Sequence, residues 1–194
     1  MAGRPRQFDE EDVIQKATDV FWEKGYEATS AEDLLKAMNM GKGSFYLHFK
    51  GGKEELFRRS MEFRAKQSMN KIKSRFLQSE NKLEVIRSLF LERLASKDYF
   101  RNYGCLFGNT LVEMANINEE LKSIAAEHLG NLEKVFEEVI ADAIEKKQFN
   151  TSHSPKFIAK HLINTWNGMN ITKRMGGQDE LLTKIVKMNL KIIE

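Results

Sequence analysis

Apolar residues recur along this chain at spacings of three and four, the period of helices that turn one face inward. In residues 9–24 they are Val13, Ile14, Ala17, Val20 and Phe21. Asp9, Glu10, Glu11 and Asp12 crowd the first turn, where acids favour the positive end of the helix dipole, and Gly25 ends the run. Thr29 and Glu32 have the spacing of a capping box and open a second helix, with Leu34, Leu35 and Met38 facing inward. Asn39-Met40-Gly41 reads as a turn. Residues 42–49 form a third helix, anchored by Phe45 and Phe49 four apart on one face. Gly51-Gly52 breaks it, and a long helix follows over 53–77. The remainder reads as five more helices over 82–97, 103–116, 118–147, 155–174 and 178–193, the fourth of them with Ser154 as cap and Pro155 in its first turn. The pattern predicts an all-α fold of about nine helices, without repeats or a long linker.

Two short helices joined by about four residues make a helix-turn-helix, the unit that lays its second helix in the DNA major groove. The chain is too long to be scaffolding for that unit alone. The expected division is a three-helix DNA-binding domain over 1–52 and a helical ligand-sensing and dimerisation domain over 53–194, linked by the 53–77 helix.

Charge changes this picture through its distribution. The net charge of +3 is too small to argue for nucleic-acid binding. Residues 38–53, however, hold Lys42, Lys50 and Lys53 and no acid, and residues 56–76 hold seven Lys or Arg against Glu62 alone. A single cysteine excludes an internal disulfide framework. The first residues have no apolar stretch of a signal peptide, and no segment approaches 18 uninterrupted apolar residues, so a cytoplasmic protein is expected. Four histidines and one cysteine form no metal-ligand cluster, and neither a metal nor a cofactor is expected.

The strings Gly25-Tyr26-Glu27-Ala28-Thr29-Ser30, Gly43-Ser44-Phe45-Tyr46-Leu47-His48-Phe49 and Lys53-Glu54-Glu55-Leu56 resemble the N-terminal domain of the tetracycline-repressor (TetR) family. One departure stands out: the loop from Phe49 to Lys53 is one residue longer than usual. The resemblance implies an all-helical homodimer whose two reading heads bind a palindromic operator. On that frame Lys42, Gly43 and Ser44 face base edges, with Gly43 allowing close approach. Tyr46 and His48 reach phosphates, and Lys50 and Lys53 supply charge to the backbone. Thr29, at a helix start, is placed to hold a phosphate. Arg4 and Arg6, in an N-terminal arm, reach the minor groove.

Beyond residue 80 one further string is informative. Gly104-Cys105-Leu106-Phe107-Gly108-Asn109 resembles a segment of a TetR subgroup that includes repressors of electrophile and quinone detoxification genes. Trp166-Asn167-Gly168-Met169-Asn170, followed by Lys173 and Arg174, is similar to that subgroup's eighth helix, although the electrophile sensors carry a lysine where this chain has Arg174. Two readings of Cys105 stand. As a thiolate stabilised by a helix start and by Lys173 or Arg174, it is a reactive sensor; as a small buried hydrophobe, it is inert. The competing sensor is a non-covalent pocket for a small organic inducer, lined by Tyr99, Phe100, Tyr103, Phe107, Leu111, Met114, Phe136, Ile140, Trp166 and Met169, with Asn109 and Asn170 as polar contacts. Plain core packing competes with the pocket at most of these positions.

The family's dimers form through the last two helices. Ile158, Leu162, Thr165, Trp166 and Met169 share one stripe, and Leu181, Leu182, Ile185, Met188 and Ile192 another; the dimer interface is expected among Ile158, Leu162, Trp166, Ile185, Met188 and Ile192. The function implied is a repressor released by a small molecule or by modification of Cys105. The rivals are an architectural DNA-binding protein without ligand response and a cysteine-dependent enzyme, for which no nucleophile–base spacing is present.

Overall fold

The computed structural model describes residues 9–95, 103–176 and 179–194. Among them the chain is all-helical: α1 (Glu10–Lys24), α2 (Ala31–Met38), α3 (Lys42–His48), α4 (Gly52–Gln78), α5 (Lys82–Ala95), α6 (Leu106–Glu113), α7 (Glu119–Glu145), α8 (Pro155–Arg174) and α9 (Asp179–Leu190), closed by a 3₁₀ turn at Lys191–Ile193. The chain divides into two compact units, Met1–Lys66 and Gln67–Glu194. The division falls within α4, later in the chain than the boundary expected after residue 52.

The first unit is built around aromatic side chains. Phe21 meets Phe57 edge-on at 4.8 Å between ring centroids, and Tyr26 lies 4.9 Å from Phe57. Leu34, Met38, Phe45, Phe49, Leu56 and Met61 are buried with them. Burying one such side chain contributes about 1.5–3 kcal/mol. The helix ends are set locally. The Asp9 carboxylate accepts the Asp12 N–H at 3.2 Å. Asn39 takes a left-handed conformation (φ 51°) and turns the chain out of α2.

The cap of α2 sits one residue later than the sequence reading placed it. Ser30, not Thr29, is the cap. Its hydroxyl accepts the Asp33 N–H at 3.1 Å, while the Asp33 carboxylate accepts the Ser30 N–H at 3.0 Å. Thr29–Glu32 and Ser30–Asp33 have the same spacing in sequence. The tie is broken because the Thr29 side chain turns inward and donates to the Gly25 carbonyl at 2.5 Å.

In the second unit α5, α7, α8 and α9 pack around Ile86, Phe90, Phe136, Ile140, Ile158, Leu162 and Leu190. The buried positions of α8 are Ile158, Ala159, Leu162, Ile163, Thr165, Met169 and Asn170, a stripe at helical spacing. Trp166 lies half-buried, edge-on to Phe90 at 5.4 Å. Ile158 and Leu162, expected at a subunit interface, are therefore enclosed within their own subunit. Trp166 and Ile192 pack against the same core.

Candidate nucleic-acid interface and sensing turn

Phe45 and Phe49 fix α3 by its inner face, being 3% and 0% exposed. Every other residue from Lys42 to Lys50 points to solvent: Lys42, Gly43, Ser44, Tyr46, Leu47, His48 and Lys50. Among the described residues the side chains of Lys42, Ser44 and Lys50 have neither hydrogen bond nor ion pair, and the Tyr46 hydroxyl has no hydrogen bond. Gly43 is informative for what the fold does not ask of it. Its backbone is not in the left-handed region, and a Cβ built there meets nothing within 4 Å. At the second position of α3, neither backbone conformation nor packing in the protein calls for a glycine.

Lys53 stands at the edge of this face. Its ammonium lies 4.4 Å from the centroid of the Tyr26 ring and donates to the Glu27 carbonyl at 3.4 Å. Burial pushes the Tyr26 phenol above its usual range, and the carboxylates of Glu54 and Glu27 add to the effect. The Gly51 N–H donates to the Glu55 carboxylate at 2.7 Å, which orders the longer loop before α4.

Thr29 does not fit its expected role as a phosphate ligand. The residue is 1% exposed, its hydroxyl is held by Gly25, and its N–H donates to the Tyr26 carbonyl at 3.2 Å. Arg4 and Arg6 lie outside the described residues.

Tyr103, Cys105, Asn109, Asn170 and Arg174 of the expected sensing set lie at or bond around the turn that leads into α6. Gly104 has a left-handed backbone (φ 77°), and a Cβ there would lie 2.9 Å from Arg174 Cδ. Arg93 holds the turn: its Nη2 donates to the Gly104 carbonyl at 2.5 Å and its Nε to Asn170 Oδ1 at 2.8 Å. Asn109 donates to the Tyr103 carbonyl at 2.7 Å and accepts from Arg174 Nη1 at 3.1 Å. Asn170 donates to the Trp166 carbonyl at 2.8 Å. Arg93 was not foreseen from the sequence; its partners come from distant helices, and no local spacing marks it.

Cys105 is the cap residue of α6, half-buried, and its side chain makes no capping bond. A Cβ at Gly108 would lie 3.9 Å from its Sγ and 4.0 Å from Asn167 Oδ1, a buried acceptor with no hydrogen-bond partner. Lys173, expected to flank the thiol, donates instead to the carbonyls of Leu94 (2.8 Å) and Arg93 (3.3 Å).

Phe107 is buried and stacks on the His128 ring at 3.6 Å between centroids; Met114 and Met169 are buried as well. Tyr99 and Phe100 lie outside the described residues. A cavity of about 530 Å³ opens elsewhere in this unit, beside Lys82, Arg87, Asp142, Gln148, Phe149 and Glu194, and includes none of the expected sensing residues.

Near the C-terminus the exposed apolar residues form two stripes. On α8, Phe157 and Ile171 are exposed, with Asn164 and Gly168 at helical spacing between them. On α9 they are Leu181, Ile185 and Met188, 67%, 43% and 61% exposed. Phe157 and Ile171 were missed in the sequence because both sides of α8 carry apolar residues.

A helix-turn-helix head with an open outer face, on a chain whose second unit is a separate helical bundle, defines a class of DNA-binding regulators. The comparisons agree. The profile of the bacterial regulatory proteins of the tetR family matches residues 13–59, and that of the tetracyclin repressor-like C-terminal domain matches residues 81–188. The chain belongs to the TetR family of transcriptional regulators.

It is 25% identical over 186 residues to the HTH-type transcriptional repressor DhaR of Mycobacterium sp. (strain GP1), covering 94% of this chain and 92% of DhaR. It is 24% identical over 194 residues to the HTH-type transcriptional repressor ComR of Escherichia coli (strain K12), covering 98% and 91%. Among solved structures, a cysteine variant of the TetR family regulator CifR complexed with 26-base-pair double-strand operator DNA is 25% identical, with a TM-score of 0.84 over 99% of this chain and 100% of that one. Reduced E. coli NemR, 19% identical, shares the fold with a TM-score of 0.84 over 94% of this chain and 96% of that one. DhaR and ComR are transcriptional repressors, and CifR is a transcriptional regulator. No helix among the described residues is long and apolar enough to cross a membrane, and no group of three metal-ligating side chains occurs among them.

Proposed function

We propose that this chain is a ligand-responsive transcriptional repressor that binds a palindromic operator as a homodimer in the cytoplasm. The observation that carries the reading is the outer face of α3. It holds a glycine the fold does not need beside the side chains of Lys42 and Ser44, which meet no hydrogen-bond or ion-pair partner among the described residues. Lys42, Gly43 and Ser44 approach base edges; Tyr46, His48, Lys50 and Lys53 engage the phosphate backbone. The exposed stripes of α8 and α9 meet those of a second copy and set the two heads about one DNA turn apart, roughly 34–36 Å.

Release works through the turn at Cys105. A small organic molecule lodged beside Tyr103, Phe107, Asn109 and Asn170, or an adduct on the thiol, crowds the space at Gly108 and strains the bonds from Arg93 and Arg174. The similarity of the 104–109 string to electrophile-responsive repressors supports the covalent route. α4, a single helix crossing the division between the units, carries the shift to the head. A tenfold loss of operator affinity requires about 1.4 kcal/mol of coupling.

The test is fluorescence anisotropy of labelled DNA from upstream of this protein's own gene, with wild type and Cys105→Ser, each with and without a mild quinone. Release in wild type alone supports the thiol switch. Tight binding unaffected in both proteins keeps the DNA reading and removes Cys105 from it. Absence of binding to that DNA and to duplexes selected from a random pool contradicts the repressor reading.

A further inference from the structure

We infer that Leu47 is a base-reading residue of this head and selects a thymine C5-methyl group in each half of the operator, an inference that rests on the operator reading above. Phe45 and Phe49 define the inward side of α3. At 3.6 residues per turn, the position two residues from each lies on the opposite side, and that position is Leu47. Its exposure agrees: 71%, against 49% for its neighbour Tyr46. Single exposed leucines are ordinary on protein surfaces. This one stands at the centre of the one helix face that meets DNA, among residues that are otherwise small, polar or basic.

The neighbours on that face decide what Leu47 can touch. Gly43 is four residues before it and Ser44 three before it, the positions that share a helix face. Gly43 has no side chain, and the space around it is open. The isobutyl group is therefore unshielded on that side and stands where the helix comes nearest to its partner. Leucine has no donor for a phosphate and no partner among the hydrogen-bonding groups of the base edges. The apolar feature that the major groove presents is the C5-methyl of thymine. Contact with it removes both groups from water; contact with cytosine, guanine or adenine at that step leaves a polar edge against the leucine.

The experiment has two stages. Duplexes that bind the wild-type dimer are first selected from a random pool. Each thymine of the selected site is then replaced by deoxyuridine, which removes the methyl group and nothing else, and affinities are read by anisotropy at one salt concentration. At one thymine per half-site we expect wild type to lose about fourfold, the value of one methyl group withdrawn from water. Leu47→Ala, at an exposed position that the fold does not use, binds the thymine and deoxyuridine duplexes equally. Deoxyuridine that is silent at every position in wild type overturns the assignment, and so does an equal loss in wild type and Leu47→Ala. Enrichment of no sequence at all is a different failure, and would overturn the operator reading itself.

Discussion

The polar groups of α3 and those of the 103–109 turn end in opposite places. On α3 and just after it, the ammonium groups of Lys42 and Lys50 and the hydroxyls of Ser44 and Tyr46 meet no hydrogen-bond or ion-pair partner among the described residues. At the turn, Arg93, Asn109, Asn170 and Arg174 are each bonded to backbone or to one another. The two glycines repeat the contrast. Gly104 is demanded by its own chain, through a left-handed backbone and the side chain of Arg174; Gly43 is demanded by nothing in the protein. A segment whose residue choices are explained from within holds a shape. A segment whose choices are not explained from within is shaped by what it meets.

That contrast can be broken by mutation, most severely on α3. Tyr46→Ala should lower operator affinity by about tenfold per head, roughly a hundredfold for a dimer, if its hydroxyl bonds a phosphate at about 1.5 kcal/mol. Its unfolding midpoint should fall only slightly in chemical denaturation, through the lost edge-on contact with Phe45 at 5.0 Å. An unchanged affinity in gel shifts would remove Tyr46 from the interface.

Arg93→Ala should do the reverse. It leaves the Gly104 carbonyl and the Asn170 side chain without their shared donor, and should lower the unfolding free energy by about 2 kcal/mol. Denaturation curves that superimpose on wild type would show that the turn does not depend on it. The stripe on α9 sharpens the same contrast for apolar groups. Ile185→Glu with Met188→Glu should leave the fold intact and give monomers in light scattering, because both side chains are exposed in the single chain. A normal dimer would place the interface elsewhere.

The smallest effect belongs to the cap of α2. Ser30→Ala should cost about 1 kcal/mol. The Asp33 carboxyl is held well below the usual carboxylate range, first by the hydrogen bond from Lys24 and then by those from Ser30. A depressed folded-state pKa means that its stabilisation is present above the ordinary value of about 3.9 and is lost as pH falls below it. Asp33→Asn should therefore flatten the acid limb of the stability profile, and an unaltered limb would contradict the assignment.

Much of this was legible in the chain, and unevenly so. The helices of the head follow from local signals: acids in the first turn of α1, Gly25, Asn39, and Phe45 with Phe49. The family strings fall on the same residues. The cap of α2 was misread by one residue because two pairs of equal spacing overlap, and only the inward turn of Thr29 separates them. In the second unit the reading weakened where one helix has two apolar sides. Ile158 and Leu162 looked as suitable for a partner as Phe157 and Ile171 do, and periodicity marks a stripe without saying what covers it. Lys173 was expected beside Cys105 and instead donates to the carbonyls of Leu94 and Arg93. That contact joins residues almost eighty positions apart in the chain, and no local pattern encodes it.

On this reading DNA, and not the fold, dictates the outer face of α3. Gly43→Val separates the two, with denaturation and anisotropy on a selected operator duplex measured on the same protein. Valine and glycine differ by only about 0.4 kcal/mol in helix propensity, so the unfolding midpoint should barely move. The operator affinity should fall by about tenfold or more, as a side chain enters the space the DNA needs. An affinity equal to that of wild type, with the midpoint unchanged, would contradict the claim.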